Sequence, residues 1–309
     1  MNAPAVPAPR GLSAEPVLPA IERVGVVGCG AMGAGIAEVC AAAGLDVRIV
    51  VPRQSSAAKG LRLITGSLDR SVAKGRLGEA DRAAALRRIT FSTELKSLAD
   101  RQLVTEAIRE DEAAKLALFT ALDRTVEDPD AILASNTSSI PITKLARATR
   151  NSGRVIGIHF FNPVPALPLV ELVESLVTDH KTKLRAREFV TQVLGKQTIS
   201  SGDRAGFVVN ALLIPFVLSA IRMVESGFAS AESVDRAMVL GCSHPMGPLK
   251  LADLIGLDVV ASIADALHAE FRDPSYARPP MLSRLVESGL LGRKTGSGFY
   301  TYDDTRRSG

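Results

Sequence analysis

Positions 24–33 read VGVVGCGAMG, an apolar run followed at once by the spacing GxGxxG. Between a strand and a helix, this spacing builds a phosphate-binding turn, in which Gly28 makes the tight bend and Gly30 lets the backbone approach a pyrophosphate. Gly33 lets the helix pack closely on the strand. The helical pattern extends to about position 43, and Gly44 is a typical stop signal. The stretch predicts a dinucleotide held at a helix N-terminus, whose free N–H groups attract phosphate.

Outward from this stretch, apolar runs alternate with helical patterns as far as residue 201. That order is typical of βαβ units and a parallel sheet. We predict strands at 23–27, 46–51, 103–107, 132–135, 155–160 and 169–173, with two helices, 56–74 and 79–88, between the second and third strands. The segments after residue 202 have helical patterns only, at 206–226, 231–240, 249–272 and 280–288.

The predicted fold class is therefore α/β, with a Rossmann-type doubly wound sheet followed by an all-α C-terminal domain. We expect a dinucleotide-binding domain at 21–201, with a helical excursion at 53–88, and a substrate and dimerisation domain at 202–309. Residues 1–20 are rich in Pro and Ala and lack the apolar core of a secretory signal. They are predicted to form a disordered tail.

Composition excludes several classes of protein. A chain of 309 residues, 46% hydrophobic and 23% charged, fits two soluble domains. The most apolar stretch, 205–221, is shorter than the roughly 20 residues of a membrane span and contains Asn210 and Pro215, so no membrane partner is expected. Three cysteines without a CxxC pair indicate a reducing, cytoplasmic location. The four histidines lack metal-ligand spacing, and no metal is predicted.

Charge is concentrated in one segment. The chain carries a net charge of +4, whereas residues 53–88 alone contain nine Lys or Arg against three Asp or Glu. A solvated helix face and a site for a phosphate-bearing ligand are both open interpretations of this excess. Nucleic acid is disfavoured as a partner, because the segment has no aromatic residue on which a base could stack.

Polar residues follow the later predicted strands, at the sheet edge where ligands bind in open α/β folds. They are SNTSS at 135–139, His159 within HFFNP, and Glu171 in the next strand, after a proline-rich turn that could fold the chain back. A carboxylate beside an imidazole fixes its tautomer and stabilises the imidazolium, as general base catalysis requires. A buried structural histidine with a structural partner is the alternative interpretation of His159 and Glu171.

Seven motifs occur in order: GCGAMGAGIA at 28–37, TEA at 105–107, SNTSS at 135–139, HFFNP at 159–163, GFVVN at 206–210, PMGP at 245–248 and GSGFY at 296–300. Together they resemble the single-function 3-hydroxyacyl-CoA dehydrogenases, particularly the bacterial 3-hydroxybutyryl-CoA type, over residues 24–302. The resemblance implies an NAD(P)-dependent oxidoreductase that interconverts (S)-3-hydroxyacyl-CoA and 3-ketoacyl-CoA of short chain. It also implies a homodimer formed through the C-terminal domain. A dehydrogenase of a free 3-hydroxy acid and a non-catalytic, cofactor-binding regulator remain as alternatives.

The resemblance assigns roles to individual residues. Catalytic roles fall on His159, Glu171, Ser138 and Asn210. Residues near the acyl-CoA are Ser67, Lys74, Ser138 and Asn210. The cofactor-binding set is Gly28, Gly30, Met32, Gly33, Val51, Arg53, Glu110, Lys115 and Asn136.

Two positions depart from the family pattern. Ala211 stands where an Arg usually follows GFVVN, and Val51 stands where the adenosine ribose usually meets an acidic residue. No Asp or Glu occurs from 47 to 68, and Arg53 lies two residues beyond Val51. A carboxylate there favours NAD and an arginine favours the 2′-phosphate of NADP. We therefore expect weak discrimination between NAD and NADP, or a preference for NADPH, while NAD can still be the working cofactor.

Overall fold

The computed structural model describes residues 20–302, so the predicted tail at 1–20 lies, except for its last residue, outside the described residues. The first part of the chain alternates strands and helices: β1 (Arg23–Val27), α1 (Ala31–Ala42), β2 (Asp46–Val50), α2 (Gln54–Ala73), α3 (Glu79–Arg87), β3 (Ile89–Ser92), β4 (Leu103–Glu106), α4 (Glu112–Thr125), β5 (Ile132–Ser135), α5 (Ile142–Arg147), β6 (Val155–Phe160), β7 (Leu169–Glu174), α6 (His180–Glu188) and β8 (Gln197–Gly202). The later part is helical: α7 (Val209–Glu225), α8 (Ala231–Cys242), α9 (Pro248–Ile255), α10 (Leu257–Phe271) and α11 (Pro280–Glu287).

The strands form one sheet in the order β3-β2-β1-β4-β5-β6-β7-β8. This doubly wound sheet, followed by helices, confirms the predicted Rossmann-type fold class. The prediction of a parallel sheet was wrong at one pair, because β6 and β7 are antiparallel. Their connection at 161–168 contains no crossover helix, which a parallel pair requires. The reversal pairs His159 directly with Glu171.

Sequence patterns missed the two edge strands, β3 and β8. Each edge strand pairs with only one neighbour, so several of its side chains remain partly exposed. Gln197–Gly202 has the sequence QTISSG and therefore lacks the apolar run by which buried strands are found. The six predicted strands are all present, with ends that differ by at most one residue.

The turn between β1 and α1 shows why its glycines are needed. Gly28 has a φ of +96°, and a Cβ on Gly33 would lie 2.1 Å from the carbonyl oxygen of Gly28. A Cβ on Gly30 would meet no atom within 4 Å. Gly28 and Gly33 therefore shape the turn itself, while Gly30 leaves open space in front of the helix N-terminus.

The helical part has its own core, built mainly from α7, α9 and α10. The single helix predicted at 249–272 was wrong, because α9 ends and α10 begins at Gly256, whose φ is +104°. That backbone conformation breaks a helix and suits glycine. The buried carboxylate of Asp253 accepts N–H groups from Phe299 and Tyr300, which fastens the last described segment to α9. Within residues 20–302, no helix is both long enough and apolar enough to span a membrane.

We predict that two glycine substitutions in this turn differ in their effect on stability. Gly33→Ala forces atoms apart in a packed turn, which costs about 1–3 kcal/mol and lowers Tm by about 3–10 °C. Gly30→Ala is the matched control. Its methyl group extends into open space, so Tm should stay at the wild-type value, while the methyl group weakens coenzyme binding by filling the space in front of the helix. Thermal unfolding and coenzyme titration measure both effects. A Gly33→Ala protein as stable as wild type would contradict the packing argument.

Candidate active site

The sequence-predicted pair of His159 and Glu171 lies at the centre of the site. Nδ1 of His159 is 2.7 Å from Oε2 of Glu171, and both side chains are buried. The second oxygen, Oε1, accepts the backbone N–H groups of Val208 at 3.0 Å and Val209 at 2.9 Å. Because an ionised carboxylate only accepts hydrogen bonds, Nδ1 carries the proton. The lone pair of the imidazole is then at Nε2, where a general base needs it.

A strained turn aims those two N–H groups at Glu171. Gly206 and Phe207 both have positive φ, at 73° and 49°, immediately before α7 begins. A positive φ is uncommon for a bulky residue, and it persists only where surrounding contacts enforce it. The Phe207 ring makes an edge contact with the His159 ring, with centroids 5.4 Å apart, and Phe161 makes a second at 4.7 Å. These two rings confine the imidazole to one orientation.

The loop after β5 is tied to β6 and holds two further predicted residues. Asn136 Oδ1 accepts the N–H of Phe160 at 2.8 Å, which fixes the end of the His159 strand. Ser138 is half-buried and donates its backbone N–H to Glu110. It does not cap a helix, because α5 begins later, at Ile142.

Asn210 occupies the first turn of α7 and is buried, so its side chain does not face solvent. Among residues 20–302, no hydrogen bond joins His159 to Ser138 or Asn210. The structure thus brings His159 and Glu171 into direct contact, and it leaves the roles of Ser138 and Asn210 as predictions.

Three charged residues form a network beside the glycine turn, in which Glu106 and Lys115 are buried and Glu110 is partly exposed. Lys115 Nζ lies 2.8 Å from Glu106 Oε1 and 3.0 Å from Glu110 Oε2. Glu106 also accepts the Ser135 hydroxyl at 2.6 Å. Glu110 in turn accepts the hydroxyl groups of Thr137 and Ser139. The network therefore connects β4 and α4 to the loop that carries Ser138.

The network keeps Glu110 ionised. Burial alone would raise the pKa of this carboxyl, but the charge of Lys115 and the hydrogen bonds from Thr137 and Ser139 lower it below its usual value. Lys115 itself is only 1% exposed, so its ammonium group contacts the two carboxylates and not solvent. Glu106 is the member that sequence reasoning missed as a site residue. Its signal was the motif TEA at 105–107, where an acidic residue closes an otherwise apolar strand.

The basic excursion lines a cleft of about 620 Å³. Ser67 on α2 and Lys74 directly after α2 lie in its wall with Arg70 and Arg76. The opposite wall includes Pro163 and neighbouring residues of the turn after β6. The turn thus connects the cleft to the strand of His159.

One acid, Glu38 of α1, also lines this cleft, and sequence reasoning did not single it out. Burial raises the pKa of Glu38, while a hydrogen bond from Ser67 and the charge of Arg70 act in the opposite direction. The raised pKa favours the neutral form of Glu38 and so reduces the negative charge of the only carboxylate among the cleft residues that the structure describes.

The remaining predicted cofactor residues surround the glycine turn and the end of β2. Val51 is buried, whereas Arg53 is exposed at the start of α2. Met32 is half-buried in the first turn of α1. The thiol of Cys29 packs against Gly60 of α2, and burial raises its pKa to about 11, so the turn presents no thiolate to a phosphate. These features fit a dinucleotide whose pyrophosphate faces Gly30. In the part of the chain that the structure describes, no His, Cys, Asp or Glu cluster could hold a metal ion.

Comparison with known proteins matches both parts of the chain. Residues 23–204 match the family described as "3-hydroxyacyl-CoA dehydrogenase, NAD binding domain", and residues 206–302 match "3-hydroxyacyl-CoA dehydrogenase, C-terminal domain".

Individual relatives agree with the family match. A 3-hydroxybutyryl-CoA dehydrogenase of Mycobacterium tuberculosis is 58% identical over 283 residues, which cover 92% of this chain and 99% of the relative. One from Bradyrhizobium diazoefficiens is 46% identical over 91% of this chain and 96% of the relative. The crystal structure of an (S)-3-hydroxybutyryl-CoA dehydrogenase from Ralstonia eutropha superposes with a TM-score of 0.85 at 44% identity, covering 92% of this chain and 100% of that one.

We predict that Glu171→Gln lowers kcat by about 10² to 10⁴. The amide oxygen can still accept from Val208 and Val209, but the amide NH₂ then faces Nδ1, which must become an acceptor. The proton moves to Nε2 and removes the base. Steady-state kinetics on folded protein measures the loss, with Glu174→Gln as the matched control, since Glu174 is a half-buried acid of the same strand that pairs with Lys183. A Glu171→Gln protein with wild-type kcat would refute the assignment of the pair.

Proposed function

Because this chain belongs to the 3-hydroxyacyl-CoA dehydrogenase family, we propose that it interconverts (S)-3-hydroxyacyl-CoA and 3-ketoacyl-CoA with a nicotinamide coenzyme. The observation that carries the proposal is the buried imidazole of His159, held by Glu171 with Nε2 free to act as a base. Short acyl chains are proposed as substrates, because the relatives compared above are named for the four-carbon substrate.

The proposed chemistry starts at Nε2 of His159. In the oxidation direction, Nε2 accepts the proton of the C3 hydroxyl, and the bound nicotinamide supplies the acceptor for the hydride leaving C3. Glu171 stabilises the resulting imidazolium, since its carboxylate is buried and close to Nδ1. We assign to Ser138 and Asn210 the orientation of the C3 oxygen and of the imidazole.

The dinucleotide is proposed to bind along the β1–α1 turn, with Gly28, Gly30, Met32 and Gly33 around its pyrophosphate. Support comes from the open space in front of Gly30 at a helix N-terminus. Glu110 and Asn136 lie on the neighbouring loops, and Lys115 lies in the first turn of α4, where the ribose and nicotinamide would extend.

The CoA moiety is proposed to occupy the cleft lined by Ser67 and Lys74. The positive charges of Lys74 and of Arg70 and Arg76 beside it suit the phosphates of CoA. A free 3-hydroxy acid would not need this charge, and a non-catalytic regulator would not need the base at His159.

A homodimer formed through the helical part is also proposed. Large apolar side chains are exposed there, among them Leu212 on α7, Phe228 after it and Leu240 on α8, each about 70% exposed or more. Exposed apolar surface of this kind is typical of protein interfaces. The three cysteines are free, which supports a reducing, cytoplasmic location.

We predict that the protein reduces acetoacetyl-CoA and that Lys74→Glu raises KM for this substrate at least about fivefold at low salt. The KM for an acetoacetyl-pantetheine without phosphates should stay near its wild-type value. Lys59→Glu, an exposed lysine of α2 outside the cleft, is the matched control. Equal activity on free acetoacetate would favour the free-acid alternative, and tight coenzyme binding without turnover would favour the regulator.

Coenzyme choice is proposed to be permissive, with NADP accepted beside NAD. No carboxylate lies between residues 47 and 68, and Arg53 is exposed next to the end of β2. The buried Val51 supplies no hydrogen bond to an adenosine ribose. An arginine in this position attracts a 2′-phosphate, whereas the usual carboxylate would repel it.

We predict that wild type prefers NADH over NADPH by less than about a hundredfold in kcat/KM, or roughly 2.7 kcal/mol. Arg53→Ala should lower kcat/KM for NADPH about 10- to 100-fold, the value of a charge-assisted hydrogen bond, and leave NADH unchanged. Arg62→Ala, exposed on the same helix, controls for general charge loss. A larger wild-type preference for NADH would show that other residues reject the 2′-phosphate.

A further inference from the structure

A buried lysine holds the turn between the two strands of the catalytic pair. Lys196 stands immediately before β8 and is only 8% exposed. Its Nζ donates to the carbonyl oxygen of Val164 at 2.8 Å and to that of Leu167 at 2.7 Å. Both carbonyls belong to the turn at 163–168, which joins β6 to β7. A side chain from outside this hairpin therefore fixes the hairpin's connection.

The charge of Lys196 has no carboxylate partner. Among the ion pairs of residues 20–302, none includes Lys196, and burial lowers its pKa. Burying an ammonium without a counter-ion costs free energy, so stability alone does not account for a lysine here. Lys196 lines the cleft that contains Arg70, Lys74 and Arg76, where an anionic ligand would compensate its charge.

The turn that Lys196 holds is itself a wall of this cleft. Pro163, Pro165 and Ala166 line the cleft from the turn. On its other side the turn packs against α1, because a Cβ added to Gly35 would lie 2.8 Å from Cβ of Val164. The turn is thus held between α1, which carries the coenzyme site, and the ammonium of Lys196.

We propose that Lys196 is a positioning residue for the acyl-CoA: it holds the turn at 163–168 in the shape that bounds the cleft. This inference rests on the proposed function. The catalytic pair has separate support, from the β6 and β7 ladder and from the N–H groups of Val208 and Val209. Loss of the lysine should therefore change substrate binding more than the chemical step.

Lys196→Met tests the proposal, because methionine keeps an unbranched apolar stem and removes the donor and the charge. We expect KM for acetoacetyl-CoA to rise about tenfold, which corresponds to about 1.4 kcal/mol. The kcat should stay within about threefold of wild type, and KM for NADH should not change. Lys181→Met, a surface lysine on α6 paired with Asp130, is the matched control and should match wild type in all three values.

An unchanged KM for acetoacetyl-CoA, or a fall in kcat at unchanged KM, overturns the proposal. If Lys196→Met does not fold, Lys196→Arg replaces it, because the larger, planar guanidinium does not fit in the place of the ammonium between the two carbonyls unless the turn moves. Its KM for acetoacetyl-CoA should rise at least about threefold, and a wild-type value overturns the proposal. If wild type itself fails to turn over acetoacetyl-CoA, the proposed function fails instead.

Discussion

The buried carboxylate of Glu171 is the interaction on which the rest of the site depends. It is fully buried and surrounded by three donors: Nδ1 of His159 and the backbone N–H groups of Val208 and Val209. A buried carboxylate with fewer partners would be costly or would become protonated. The antiparallel pairing of β6 with β7 supplies the first donor, and the turn with positive φ at Gly206 and Phe207 supplies the other two.

The same carboxylate connects the two parts of the chain. Oε2 binds the His159 side chain of the sheet, and Oε1 binds the backbone N–H groups at the start of α7. Because α7 fixes the position of the carboxylate, it also fixes the orientation of the imidazole. On the coenzyme side, the buried carboxylate of Glu106 acts in the same way, because it accepts hydrogen bonds from both Lys115 and Ser135. Each side of the proposed site is thus organised by a buried acid with several hydrogen-bond donors.

Sequence reasoning found what depends on local pattern and missed what depends on distant contacts. The six buried strands and the glycine turn follow from apolar runs and GxGxxG spacing. The edge strands lack that pattern because one side of each has no neighbouring strand. The break at Gly256 lies within an apolar stretch whose periodicity continues across it. Glu106 and Lys196 bind partners that are distant in the sequence, Ser135 and Val164 respectively, and no local spacing of residues predicts these contacts.

The tautomer of His159 tests the central claim most directly. Nitrogen-15 NMR of labelled protein at about pH 8, where an ordinary imidazole is neutral, distinguishes the two ring nitrogens. The His159 signals are identified by their loss in a His159→Asn variant. The account predicts a protonated Nδ1, hydrogen-bonded to Glu171, and an unprotonated Nε2. A neutral ring with its proton on Nε2 would contradict it, because such a ring offers the substrate hydroxyl no base.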